Sequence, residues 1–294
     1  MNAMMKIKAN AKINLTLDIL GKRDDGYHEV CMVMQSISLS DTLELNKLST
    51  KTIIVSGDVE GVAKPEDNLV YKAAKLFLDT YNIQSGVEIK LDKKIPVAAG
   101  LAGGSSDAAA VLRGLNQLFE LNLSTDTLCA LGAKLGSDIP FCVQGGTMLA
   151  CGRGEILQDV ATMPKTYLVL VKPQIGVSTA WVYKNYHEVE ANVIHPNTVK
   201  MQEALKAQDR EKIYAQLQNV LEFVTIPHYP EIAKIKQALI LYGAKTAMMS
   251  GSGPTVFAFA DNSEQAEQIA TKMRAHFAVN VFVAHTTEKN LDRG

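Results

Sequence analysis

Hydrophobic and polar residues alternate along the N-terminal part of the chain. From Lys6 to Leu20 every second residue is apolar, which is the period of a β-strand with one buried face. The pattern predicts one long strand, or two strands that meet near Asn10, with all the apolar residues on one face. On the other face, Lys12 and Asn14 should point in the same direction. That face is either solvated, as most such faces are, or arranged to hold a substrate.

A glycine-rich segment lies between a strand pattern and a helix pattern. Residues 86–92 alternate, and apolar residues between Ala108 and Phe119 recur at helical spacing. The segment has three glycines and two serines but no lysine, so it is neither a Walker A loop nor the G-x-G-x-x-G pattern of dinucleotide-binding proteins. The chain also lacks the D-F-G triplet of protein kinases. This glycine loop consists of Pro96, Val97, Ala98, Ala99, Gly100, Leu101, Ala102, Gly103, Gly104, Ser105 and Ser106.

The position of the glycine loop predicts an anion site. A loop that leads into a helix N-terminus offers unpaired N–H groups and the positive end of the helix dipole, and phosphate is the usual ligand. Ser105 or Ser106 is expected to cap the helix. The alternative is a tight turn without a ligand, although a turn needs only one or two glycines.

The rest of the first half predicts further strands and helices. A helix should start at Pro65–Asn68, and Ser124 or Thr125 should cap another helix that ends at Gly136. The expected strands are Tyr27–Leu39, Thr42–Leu48 and Phe141–Leu149, the last interrupted by two glycines.

The second half predicts a separate unit. A chain of 294 residues favours two domains, and we place the boundary near Thr162–Lys165, which gives domains 1–163 and 164–294. The elements after the boundary are read in the order strand, helices, strand, strand, helix, strand, which is ferredoxin-like. The fold class is therefore α+β, with an N-terminal α/β nucleotide-binding domain and a C-terminal ferredoxin-like domain.

Composition narrows the class of protein. The chain is 47% hydrophobic and 21% charged, enough to bury a core. Thirty basic and thirty-one acidic residues give a net charge of −1, so neither a nucleic acid nor a membrane is an expected partner. The four cysteines show no zinc spacing, and residues 1–10 lack the apolar core of a signal peptide. We expect a cytoplasmic protein.

Three stretches together resemble the GHMP kinases. Pro96–Ala108 has the outline P-x-x-x-G-L-x-x-S-S-x-A of their phosphate loop. Ala11–Leu15 (AKINL) resembles their N-terminal motif, and Ser250–Pro254 (SGSGP) resembles their C-terminal glycine motif. Ala102 departs from the pattern, because glycine is common at this position. We expect alanine to hold the turn only if its φ is negative.

Two more motifs point to one branch of that family. Asp25–His28 (DGYH) and Gly136–Pro140 (GSDIP) resemble the branch whose substrate is a methylerythritol carrying cytidine diphosphate. The resemblance implies that ATP, with Mg²⁺, phosphorylates the 2-hydroxyl of that substrate in the non-mevalonate isoprenoid pathway. It implies a small-molecule partner and a monomer or weak homodimer. The rivals are a GHMP kinase for another alcohol, such as mevalonate or homoserine, and a binding protein that kept the fold but not the reaction.

The resemblance also implies roles for single residues. The glycine loop binds ATP, Asp138 accepts the proton of the attacking hydroxyl, and Lys12 supplies positive charge to the transferring group. Ser106 is a tentative Mg²⁺ ligand. Substrate binding falls to Asn14, Tyr27 and His28. Without the resemblance, Lys12 reads equally well as a surface lysine. For the other three residues the structural reading is then the favoured one: a helix cap for Asp138, a core residue for Tyr27 and a cap of the turn for His28.

Overall fold

The structure, a computed structural model, describes residues 4–58 and 65–290. Met1–Ala3, part of the N-terminal stretch considered above, lie outside the described residues. The strands are β1 (Met5–Lys22), β2 (His28–Leu48), β3 (Ile53–Gly57), β4 (Gly86–Asp92), β5 (Thr147–Cys151), β6 (Ile156–Asp159), β7 (Tyr167–Pro173), β8 (Gln218–Asn219), β9 (Thr246–Met249), β10 (Val256–Ala260) and β11 (Val279–His285).

Ten α-helices lie within the described ranges. They are α1 (Leu69–Thr80), α2 (Gly103–Leu118), α3 (Thr125–Ala133), α4 (Ile139–Gln144), α5 (Thr179–Asn185), α6 (Thr198–Lys206), α7 (Arg210–Ala215), α8 (Glu222–His228), α9 (Glu231–Leu241) and α10 (Ser263–His276). Short 3₁₀ turns cover Pro65–Asp67, Tyr186–Glu188 and Glu190–Asn192. Across the same ranges, no helix is both long and apolar enough to cross a membrane.

The strands form two sheets. The seven-stranded sheet has the order β3-β4-β2-β1-β8, with β5 pairing to β2 and β6 to β5. The four-stranded sheet has the order β11-β7-β10-β9 and is antiparallel throughout. When the four strands of this sheet are numbered along the chain (β7, β9, β10 and β11 as 1 to 4), their order is 4-1-3-2. The ferredoxin-like prediction is therefore confirmed. The short strand β8 comes from the second half of the chain but pairs in parallel with β1.

The first strand is continuous, but its apolar residues do not share one face. The pairing register with β2 shifts between Asn10 and Lys12 and again between Asn14 and Thr16. Such irregularities re-aim the side chains of a strand. Ala11, Ile13 and Leu15 pack against the inner face of the ferredoxin-like sheet, while the apolar residues before and after them pack with α2. The expectation of a single apolar face was therefore wrong.

Of the two alternatives for the polar face of β1, the solvated face is excluded along the central part of the strand. Lys12 is 5% exposed and Asp18 is 6% exposed, and Asn14 and Thr16 are fully buried. These polar side chains have partners inside the fold. Lys12 lies beside Asn14 and Asp138, Thr16 accepts a hydrogen bond from the Val33 N–H, and Asp18 is paired with His195.

Other local predictions were corrected by packing. The two strands expected between Tyr27 and Leu48 are one strand, β2. Most of the predicted strand Phe141–Leu149 is helix α4 followed by β5, because an apolar run buried on all sides has no period that separates helix from strand. Neither serine caps α2, which begins at Gly103 with Ala102 as its N-cap. Ala102 has a φ of +57°, so the expected negative φ was wrong too.

Candidate active site

A cavity of about 1290 Å³ lies between the two halves of the chain. Its walls come from β1, the start of β2, the glycine loop, α5 and the loop Ser250–Pro254, called here the second glycine loop. Most predicted site residues line it: Lys12, Asn14, Tyr27, His28, Asp138 and every residue of the glycine loop except Leu101 and Ser106. Residues from at least six separate stretches of sequence therefore meet in one place.

Lys12 and Asp138 form an ion pair in this cavity. The Lys12 Nζ lies 3.7 Å from Asp138 Oδ2, and their side chains are 6% and 31% exposed. The same ammonium donates a hydrogen bond of 2.9 Å to Asn14 Oδ1. Asp138 precedes α4 but caps it with no side-chain hydrogen bond. Its carboxylate is therefore left to Lys12 and to the cavity.

The shift in the β1 register explains how Lys12 reaches the site. At the irregularity the Lys12 N–H leaves the β2 ladder and donates to the Leu101 carbonyl, 3.2 Å away in the glycine loop. The neighbouring Asn14 is fixed by its amide nitrogen, which lies 3.2 Å from the Met32 sulfur. The backbone thus ties the lysine to the loop.

The glycine loop is held by the second glycine loop. The Ser250 hydroxyl donates to the Gly100 carbonyl at 2.9 Å, and the Thr255 N–H donates to the Ala99 carbonyl at 3.4 Å. Ala98, Gly100 and Ala102 all have positive φ values. The loop winds tightly around the N-terminus of α2, where the N–H groups of the first turn have no partner within the helix.

Two residues of the glycine loop turn away from the cavity. Leu101 is 1% exposed and belongs to the core. Ser106 is also 1% exposed; its hydroxyl donates to the Asn10 carbonyl at 2.7 Å and lies 3.4 Å from the Cys142 sulfur. Burial, with the nearby Asp138 carboxylate as a second cause, raises the pKa of Cys142 to about 12. Ser106 therefore joins the loop to β1 instead of facing a ligand.

Aromatic side chains gather at the other end of the cavity. Tyr27 is 57% exposed, with the Arg153 guanidinium 5.1 Å from its ring centre. The His28 ring lies 5.4 Å from the Tyr183 ring. Burial lowers the pKa of His28, and Lys22 lowers it further. Burial, and then the Asp138 carboxylate, raise the pKa of Tyr183. Tyr27 is thus not a core residue, and the aromatic rings of Tyr27 and Tyr183 line the same cavity as the Lys12–Asp138 pair.

The sequence did not reveal several residues of the site. Arg153, between β5 and β6, and Tyr183, on α5, carry no motif and no distinctive period. Arg153 reaches the cavity through the pairing of β5 with β2, and Tyr183 through the packing of the second half against the first. Lys93 lies between Asp41 and Asp107, with its Nζ 2.6 Å from a carboxylate oxygen of each. Burial raises the pKa of Asp107 to about 7, although Lys93 opposes the rise. A lysine next to a glycine loop is a signal that could have drawn attention to Lys93.

The described residues do not form a protein-built Mg²⁺ site. Among them, no group of three or more histidine, cysteine, aspartate or glutamate side chains is placed to hold a metal ion. Ser106, the tentative ligand, gives its hydroxyl hydrogen to Asn10 inside the core. The donor set of the described residues therefore does not fit a metal held by the protein alone.

Family models match both halves of the chain. The model for the GHMP kinases N terminal domain matches residues 68–146, and the model for the GHMP kinases C terminal domain matches residues 201–279. Together they contain the glycine loop, Asp138 and the second glycine loop. The chain belongs to the GHMP kinase family.

Relatives within that family define a narrower group. The chain is 52% identical over 267 residues to a 4-diphosphocytidyl-2-C-methyl-D-erythritol kinase of Bacillus pumilus, covering 91% of this chain and 92% of that protein. It is 49% identical to the enzyme of that name from Bacillus subtilis, with the same coverage. A crystal structure of 4-(cytidine 5'-diphospho)-2C-methyl-D-erythritol kinase is 32% identical, with a TM-score of 0.82 over 96% of this chain and 99% of that one.

Proposed function

We propose that this chain transfers the γ-phosphoryl group of ATP to the 2-hydroxyl of 4-diphosphocytidyl-2-C-methyl-D-erythritol, a step of the non-mevalonate isoprenoid pathway. The observation that carries the proposal is the position of the Lys12–Asp138 pair. It lies in one cavity between the glycine loop, which suits phosphate, and the Tyr27–His28 corner, which suits a base. A kinase needs its phosphoryl donor, its acceptor and its charged groups in this arrangement.

The reaction needs positioning and charge more than covalent chemistry. The substrate hydroxyl oxygen attacks the γ-phosphorus, the bond from that phosphorus to the bridging oxygen breaks, and ADP leaves. Asp138 takes the hydroxyl proton. Lys12, held by Asn14 and Asp138, places its ammonium where negative charge develops on the transferring group. With no lysine in the glycine loop, Lys12 is the cation that this mechanism uses.

The aromatic corner suits the cytidine end of the substrate. A pyrimidine needs flat partners for its faces and polar partners for its edge. Tyr27 and Tyr183 supply rings on the cavity wall, and the nearby His28 supplies ring nitrogens. Because burial lowers the His28 pKa, its neutral form, which can donate at one nitrogen and accept at the other, dominates at neutral pH.

ATP is the donor that the family implies, and its phosphates would lie along the glycine loop and the N-terminus of α2. Mg²⁺ enters the proposal only as the ion that accompanies ATP in solution. The cytoplasmic location, the monomer or weak homodimer, and the domain boundary near residue 163 stay predictions.

A coupled assay of ADP release tests the function. The enzyme should turn over 4-diphosphocytidyl-2-C-methyl-D-erythritol and leave mevalonate and homoserine unphosphorylated. Turnover of either alcohol in preference to the cytidine substrate would place the chain in another branch of the family. Binding of ATP and substrate without ADP release would instead favour a non-catalytic binding protein.

A further inference from the structure

A buried cluster of three charged residues lies behind the glycine loop. It consists of Asp41 from β2, Lys93 from the segment after β4, and Asp107 from the first turns of α2. Asp41 is fully buried and Asp107 is 2% exposed. Such a cluster is costly to desolvate unless its charges are paired. Here the pairing runs through the Lys93 ammonium, while Asp107 Oδ1 has no hydrogen-bond partner in the structure. None of these residues has a part in the mechanism proposed above.

Asp41 and Lys93 hold the start of the loop. Asp41 Oδ1 accepts hydrogen bonds from the backbone N–H groups of Lys94 and Ile95, the second at 2.7 Å. Its other oxygen accepts from the Lys93 ammonium at 2.6 Å. The two residues that precede Pro96 are therefore fixed by a single buried carboxylate.

Lys93 also holds the end of the loop. Its ammonium donates a second hydrogen bond of 2.6 Å to Asp107 Oδ2, one residue beyond Ser106. A Cβ on Gly103 would lie 3.5 Å from the Lys93 Nζ and 3.1 Å from an Ile95 methyl group. The middle of the loop thus packs directly on the cluster, and its two ends are joined through one ammonium group.

We propose that Lys93 is a positioning residue that sets the geometry of the glycine loop by joining Asp41 to Asp107. It acts on ATP by aligning the backbone N–H groups of the loop and the first turn of α2 with the phosphates. The inference rests on the proposed function, because it takes the glycine loop to be the ATP site.

The competing explanation is direct contact, since the Lys93 side chain also reaches the cavity wall. Asp41 separates the two explanations. It is completely buried and does not line the cavity, so it cannot touch ATP, yet it is a necessary member of the cluster. Loss of Asp41 should affect ATP only if the cluster works through the loop.

The test uses steady-state kinetics of Lys93→Met, Asp41→Asn and the double variant. Lys94→Met is the matched control, because Lys94 is the adjacent, exposed lysine. We expect both single variants to raise the KM for ATP by about tenfold to a hundredfold, because misaligned N–H groups weaken charge-assisted hydrogen bonds worth roughly 1.5–3 kcal/mol, and 1.4 kcal/mol is tenfold. The KM for the cytidine substrate should stay unchanged, the double variant should be no worse than the poorer single variant, and Lys94→Met should behave as wild type. KM does not depend on the fraction of folded enzyme, so partial unfolding does not imitate this result.

Two outcomes overturn the inference while leaving the proposed function intact. A raised KM for ATP in Lys93→Met with a wild-type value in Asp41→Asn would make Lys93 a direct ligand. Wild-type values in both would make the cluster purely structural. If Asp41→Asn does not fold, amide hydrogen exchange of Lys93→Met decides: faster exchange confined to residues 94–107 supports positioning, and unchanged exchange there refutes it. Failure of the proposed function differs from all of these, because the wild-type enzyme itself would then release no ADP.

Discussion

The close approach of the two glycine loops makes Gly100 the most sensitive position of the site. A Cβ at Gly100 would lie 2.2 Å from the Ser250 carbonyl oxygen and 3.1 Å from that of Gly253. Its φ of +75° adds strain for any side chain, but Ala98 and Ala102 already hold positive φ values in the same loop. The clash with backbone, more than the torsion angle, should decide the effect of Gly100→Ala.

The structure sets the size of that effect. Ordinary contact begins at 3.4 Å, so the new methyl group must separate the loops by about 1.2 Å (3.4 − 2.2). A misplacement of about 1 Å can lower turnover roughly 10²-fold. A non-glycine residue with positive φ costs about 1–3 kcal/mol. We expect Gly100→Ala to lower kcat/KM for ATP about 10²-fold. The free energy of unfolding should fall by more than the ~1–3 kcal/mol of the torsion angle, because the clash with the Ser250 carbonyl adds to it.

Gly104→Ala is the matched control in the same loop. Its Cβ would lie 3.5 Å from a Leu69 methyl group, which is ordinary contact, and alanine suits the first turn of α2. Urea unfolding and ADP-release kinetics are measured for both variants. Gly104→Ala should be at least as stable as wild type. If Gly100→Ala kept wild-type stability and kinetics, the close packing of the loops would not be needed and the reasoning would fail.

Three further predictions address the chemistry. Asp138→Asn should lower kcat about 10²–10⁴-fold with little change in the KM for ATP, as loss of a positioned base does; near-wild-type turnover would remove Asp138 from that role. Tyr27→Ala should raise the KM for the cytidine substrate about tenfold or more, because base stacking contributes roughly 1–3 kcal/mol, while Tyr27→Phe stays mild; equal rises in both KM values would place base recognition elsewhere. Burial raises the pKa of Asp107 from 3.8 to about 7 in the folded protein. Between pH 3.8 and about 7 the folded state therefore holds a proton on Asp107 that the unfolded state has lost, and the free energy of unfolding falls as the pH rises through this range. Urea unfolding at pH 5 and pH 8 should therefore show that the free energy of unfolding falls less between these pH values for Asp107→Asn than for wild type. Equal decreases for the two proteins would contradict the raised pKa.

The sequence determined those features whose signals are local. The strand Gly86–Asp92 has the predicted bounds, because a period of two acts within a few residues. Helix α1 begins directly after the predicted start Pro65–Asn68, where the Asn68 side chain caps it. The glycine loop was visible from its composition and its place between a strand and a helix. The ferredoxin-like unit followed from element order, since right-sized elements in that order have few ways to pack.

Tertiary structure decided which way side chains face and which distant residues meet. Lys12 and Asn14 point into the site because the pairing of β1 with β2 shifts register, and pairing partners are not encoded within β1 itself. The sequence of α4 was mistaken for a strand because the helix is buried on all sides, so its apolar residues show no helical period. Tyr183 joins His28, and Asp41 joins Lys93 and Asp107, across separations that no local pattern spans. Local interactions fix the period of the backbone, but the arrangement of the candidate site depends on long-range packing that exists only in the complete fold.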